Sequence, residues 1–211
     1  MTTINPDKTF YNEISDGTNF VSTFVSDPRN HFGEFGKGYF LAASQMAERL
    51  ITQSNFSDYE AYPVVFLYRH AFELYLKNIL YKALPLAAFR KIEDMNSQLH
   101  NTHKLVPLAN KVIIVIRQLF PDDSNLNQVA MRIKRTAEEF SIIDPDSYSY
   151  RYPIDTDGNP STPKNQTVNL RAFANMMSII LTAMESINFG FDIETYQAQE
   201  IWDLLQSQQE G

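Results

Sequence analysis

Cysteine is absent from the 211 residues. That excludes a disulfide framework, a thiolate metal site and a cysteine nucleophile, and it suits a reducing compartment. Glycine is scarce, at seven residues, which argues against a turn-rich β-sandwich and against glycine-rich phosphate loops. The opening MTTINPDKTFYNEISDG has no basic n-region and no apolar h-region, so no signal peptide is expected. Long hydrophobic runs are missing as well: the longest is about half a dozen residues, against the roughly 20 that cross a bilayer. A net charge of −7 disfavours holding nucleic acid by bulk charge, which calls for a basic stripe. A cytoplasmic chain without membrane association is the expectation.

What is present is apolar and aromatic. Hydrophobic residues make up 44% and aromatics 13%, with 15 Phe and 11 Tyr, enough for one domain with a core built on large rings. Residues 1–33 mix aromatics with turn formers and read as an irregular arm on the body. Phe40, Ala43, Met46, Ala47 and Leu50 recur at helical spacing between about Glu34 and Thr52. The stretch YPVVFLYRHAFELYLKNILY, 62–81, is apolar nearly all round, the mark of a central helix. It is expected to begin near Pro63 and to stop at Pro85.

Further helices are expected from about Thr102–Leu105 to Pro121, from a Ser124 N-cap to Phe140, and from Thr167 to Phe189, the last closed by Gly190. A connection, with a short helix in LAAFRKIEDM, joins the second to the third, and a last short helix covers Ile193–Gln206. The bundle proper spans 34–190, with a C-terminal helix and tail at 191–211. Nothing reads as a sustained strand. The fold class is therefore all-α, a bundle of five to six helices with a long loop, 141–166, before the last long helix.

The polar group on the central helix is tight. Arg69, Glu73 and Lys77 are spaced by four, so the charges can form one ladder. They are either a polar strip on a buried helix or the lining of an anionic-ligand site. His100 and His103 have metal-pair spacing, but too few other ligands exist to complete zinc, and no metal or cofactor is expected. His103, at a helix start beside Lys104, is the better candidate for a proton carrier. In the loop, Tyr150, Arg151 and Tyr152 could stack on a base and hold a phosphate; otherwise the rings pack on the bundle and Arg151 pairs with a carboxylate such as Asp144. The Asp155–Asn159 run is a turn, since its glycine comes too early for a calcium loop.

Three of these segments in order, FELYLKNIL with Glu73 and Lys77, THKLVPL with His103 and Leu105, and YRYP at 150–153, resemble the HEPN superfamily. The resemblance covers roughly residues 35–189. It implies a helical bundle, a homodimer, and a prokaryotic defence or toxin–antitoxin setting with a nucleotide, RNA or partner protein as ligand. HEPN ribonucleases carry an Arg, four to six intervening residues, then a His. After Arg151 those positions hold Thr156, Asp157 and Gly158. The resemblance therefore implies a non-catalytic or differently catalytic member; read from the residues themselves, the ligand contacts of a binding module would be Arg69, Glu73, Lys77, Tyr150 and Tyr152. The alternatives are a metal-independent ribonuclease with a rearranged site, in which His103 and Arg151 are the catalytic residues, and a purely structural interaction domain.

Overall fold

The computed structural model describes residues 31–53, 55–91, 102–144, 147, 149–161 and 167–209. Five helices occupy most of them: α1 (Phe32–Gln53), α2 (Asp58–Phe89), α3 (Leu105–Leu119), α4 (Ser124–Ile143) and α5 (Leu170–Gln209). Among the described residues there is no strand, only an isolated antiparallel bridge between Ile154 and Pro160. The all-α reading holds. The arm at 1–30 and the second half of the 85–101 connection lie outside the described residues.

α2 is the central element, packed against α1, α3 and α5. Its start is fixed upstream of Pro63 by Ser57 N donating to the Glu60 carboxylate at 2.8 Å, half of a capping box. It also runs through Pro85, which was expected to stop it. A proline inside a helix costs about 3 kcal/mol, but Leu86 and Ala87 just beyond it are buried at 1% and 2% exposure. Their burial offsets the missing hydrogen bond, and the helix continues to Phe89. α1 lies close on α2 because glycine faces it. A Cβ on Gly36 would stand 2.9 Å from the Tyr75 ring, and one on Gly33 would stand 2.8 Å from Asn78 Nδ2.

The rings form a connected row across the core. Phe40 on α1 meets Tyr68, which packs edge-on against Phe173; Phe173 meets Phe140, and Phe140 meets Phe72, with centroids 5.6–6.2 Å apart. Such offset and edge contacts add to the area they bury. α4 starts on Asp123, whose Oδ1 accepts from Leu126 N at 2.8 Å; Ser124, the expected cap, is already helical.

The largest departure concerns α5. A helix ending at Gly190 followed by a separate short one was expected, yet one helix runs through to Gln209. Glycine ends a helix when the chain gains by turning away. Here the residues beyond Gly190 gain by continuing. Phe191 stacks on Phe120 at 5.6 Å, Asp192 pairs with Lys82, and Glu194 pairs with Arg90 at 2.9 Å. Gly190 is thus a helix-interior glycine, and a Cβ there meets nothing within 4 Å. Gly190→Ala is expected to stabilise the fold by about 0.5–1 kcal/mol. A urea-unfolding series in which the variant matched or fell below the parent would contradict this placement.

Candidate functional site

One stripe of α2 carries the polar chemistry. At 100° per residue Arg69, Glu73 and Lys77 share a face with Phe66 and His70. Arg69 is fully buried, and Glu73 and Lys77 are 1% and 3% exposed. Glu73 is the hub. Its Oε1 accepts from Lys77 Nζ at 2.9 Å and lies 2.8 Å from His103 Nδ1, while Oε2 accepts from Arg69 Nη1 at 3.1 Å. Arg69 reaches further: Nη2 donates to the His103 carbonyl at 3.1 Å. Its Nε lies 2.9 Å from Asp144 Oδ2, an ion pair in which the N–H is not aimed at the oxygen.

Asp144, itself 2% exposed, closes α4 and accepts from Ser149 N at 3.0 Å. It pairs with Arg69. Two cations and two carboxylates therefore neutralise one another inside the bundle, tying α2 to the start of α3, the end of α4 and the loop. Burial alone would raise the Glu73 pKa, but hydrogen bonds and charge from Lys77 and His103 outweigh it and hold the carboxyl below its ordinary value.

His103 is the member of this group that meets solvent, with a side chain 66% exposed. Its Nδ1 lies 2.8 Å from Glu73 Oε1, so the buried carboxylate orients the ring. His70 is half-buried between Phe66, stacked at 5.7 Å, and Tyr39, edge-on at 4.5 Å. Burial lowers its pKa; Arg69, Lys77 and Arg151 push the same way, and Glu73 opposes them.

The second group sits at the other end of the stripe. Arg151 Nε donates to the Ser147 carbonyl at 2.5 Å, and its guanidinium lies 5.5 Å from the centroids of both Phe66 and Tyr152. Ser147 accepts this role at φ 68°, a left-handed conformation that costs a non-glycine residue about 1 kcal/mol or more. Tyr150 packs on Tyr62 at 6.1 Å; burial, then Asp144 and Tyr62, raise its phenol pKa. Tyr152 is half exposed. The Asp155 run is the expected turn: Oδ1 accepts from the backbone of Asp157 and Asn159, each at 2.9 Å, and Gly158 takes φ 83°.

Arg69, Glu73, Lys77 and His103 are thus brought together, and Tyr150, Arg151 and Tyr152 gather around Phe66 and Tyr62. Along α2, Phe66 lies one turn before Arg69 and about 10 Å before Glu73, so Arg69 and its partner Asp144 stand between the two groups. Sequence spacing could not point to Asp144 as the anchor of Arg69, since the pair is remote in the chain. His100 lies outside the described residues. Among those described, no group of three His, Asp or Glu side chains has metal-site geometry.

Fold and site together define an all-α helical bundle assembled around a buried, internally compensated charge network. No protein-family model, no curated protein and no solved structure matches the chain significantly.

Proposed function

We propose that this chain is a HEPN-like module that binds a nucleotide or an RNA end on the face of α2 between His103 and Arg151, without cleaving it. The observation that carries the reading is that an exposed His103 anchored on a buried carboxylate and a guanidinium 5.5 Å from the Phe66 and Tyr152 rings lie against the same stripe of α2. Such a pair suits a base beside the rings and a phosphate or ribose beside the imidazole. Arg69, Glu73 and Lys77 act in this reading from behind, fixing His103 and the α3 start. Tyr150 and Tyr152 flank the stacking position. The same reading extends to a cytoplasmic homodimer in a prokaryotic defence or toxin–antitoxin setting.

Fluorescence anisotropy with a 5′-phosphorylated, 3′-labelled hexaribonucleotide, competed by AMP, tests it. Arg151→Ala and His103→Ala are each expected to weaken binding by about tenfold. Absence of binding by the parent chain, or binding at the parent's affinity by both variants, would remove the proposal.

A second reading, a metal-independent ribonuclease with His103 and Arg151 as catalytic residues, draws on one specific observation. The Glu73–His103 contact at 2.8 Å orients the imidazole as a general base requires. Cleavage of total RNA in EDTA that is lost in both variants would establish it and overturn the binding-only reading.

A further inference from the structure

α2 and α5 run side by side in the same direction, and two contacts fix their register. Tyr75 Oη donates to Glu185 Oε1 at 2.5 Å, and Lys82 Nζ pairs with Asp192; the partners in each case are 110 residues apart in the chain. In that register Asn78 and Asn188 fall opposite each other between the two contacts. Both are buried, at 2% and 6% exposure. Among the described residues, however, Asn78 Oδ1 and both polar atoms of the Asn188 amide have no hydrogen-bond partner. Buried polar groups are nearly always paired, because an orphan gives up its hydration for nothing in return. Three orphans gathered at one place point to a partner that is another molecule.

Both amides line a cleft of about 390 Å³ whose third wall is the start of α1. There Gly33 leaves room for the Asn78 amide, which a Cβ would approach to 2.8 Å. One water takes up about 30 Å³, whereas small-molecule pockets run from about 300 to 1,000 Å³. The unpartnered atoms say what fits. Two acceptors and one donor are the complement of an amino group beside an acceptor. A primary carboxamide carries that set, and so does the amino edge of adenine, which Asn side chains pair with in nucleic acids. Charge disfavours an anion, since Glu34, Glu185 and Asp192 border the cleft against Lys37 and Lys82. Phe189, 67% exposed at the cleft, offers a ring on which a planar ligand can lie.

We propose that this cleft binds a small uncharged molecule bearing an amino group next to an acceptor, the edge shared by primary carboxamides and aminated nucleobases. Its amino group donates to Asn78 Oδ1 and Asn188 Oδ1, and its acceptor takes the Asn188 Nδ2–H. The site lies about 140° round α2 from Glu73, away from the His103–Arg151 face, and does not depend on that reading.

Nicotinamide and adenine are the probes, and nicotinate, an anion without the amino group, is the control. NMR of isotope-labelled protein follows the side-chain amides of Asn78 and Asn188. Both are expected to shift saturably with at least one probe at millimolar concentration or below, and not with nicotinate. Tighter binding of nicotinamide assigns the site to a carboxamide, and tighter binding of adenine to a nucleobase. Asn188→Leu is expected to weaken binding at least about tenfold. Its melting temperature is expected to stay at or above the parent's, since an apolar residue of similar volume replaces an unpaired buried amide. Hexaribonucleotide binding by this variant stays at the parent value, so the two proposals fail separately. No saturable shift with either probe would overturn the inference, as would equal binding of nicotinate or undiminished binding by Asn188→Leu. A lower melting temperature for Asn188→Leu would show that the two amides satisfy each other, and that too would overturn it.

Discussion

Glu73→Ala is expected to lower the unfolding free energy by about 3–5 kcal/mol, the cost of stranding a buried charge by removing its partner. Arg69 and Lys77, at 0% and 3% exposure, would both lose the carboxylate that neutralises them, and His103 would lose its anchor. A domain of this size has a total stability of about 5–15 kcal/mol, so the variant would be marginal or unfolded at 37 °C. Replacing Arg69, Glu73, Lys77 and Asp144 together by Met and Leu is expected to cost far less, because apolar residues of similar volume often substitute for a buried ion network. Equilibrium urea unfolding decides the matter. A loss below about 1 kcal/mol for Glu73→Ala would mean that water reaches the network, contrary to the burial on which the site description rests.

Arg69→Met is expected to be as damaging at neutral pH, and to differ in how the damage responds to acid. In the parent protein two groups make stability fall as pH falls. His70 has a lowered pKa, so its contribution is present above its ordinary value of 6.5 and is lost as pH drops through the folded-state value. Glu73 also has a lowered pKa, so its contribution is present above its ordinary 4.5 and is lost at still lower pH. Removing the guanidinium leaves Asp144 without its paired cation and Glu73 with Lys77 and His103 only. A buried carboxylate without its counter-charge takes up a proton above its ordinary range, so acid relieves the variant's penalty. The parent–variant gap should be about 3–5 kcal/mol at pH 7.5 and clearly smaller near pH 5. A gap that stays constant across that window would show that Arg69 acts through packing and its bond to the His103 carbonyl, not through charge.

The positions of the helices were largely legible because each helix carries its own periodic apolar face, a local property of the chain. Leu50, Phe72, Ile116, Ile133 and Met184 all fall where the spacing puts them. The errors lie at ends. Pro85 and Gly190 were read as stops by their intrinsic preferences, and both were overridden by contacts from distant segments: Leu86 and Ala87 in the core, and Phe120, Lys82 and Arg90 against the continuation of α5. Local propensity is worth a kilocalorie or a few, which tertiary burial exceeds.

At the site, the Arg69–Glu73–Lys77 ladder was visible as four-residue spacing. Its inward orientation was not, because a stripe of charge reads the same on a wet face and on a buried one. By itself, then, the sequence determined an all-α bundle, a central helix over 62–81 and the membership of the α2 charge ladder. Each of these depends on residues a turn or two apart. Only the tertiary structure decided that the ladder is sealed, that Asp144 rather than solvent completes Arg69, that His103 is its exposed end, and that α5 runs on past its neighbours. Those outcomes depend on segments tens of residues apart meeting in space, and on whether the burial they gain exceeds the preference of one proline or one glycine.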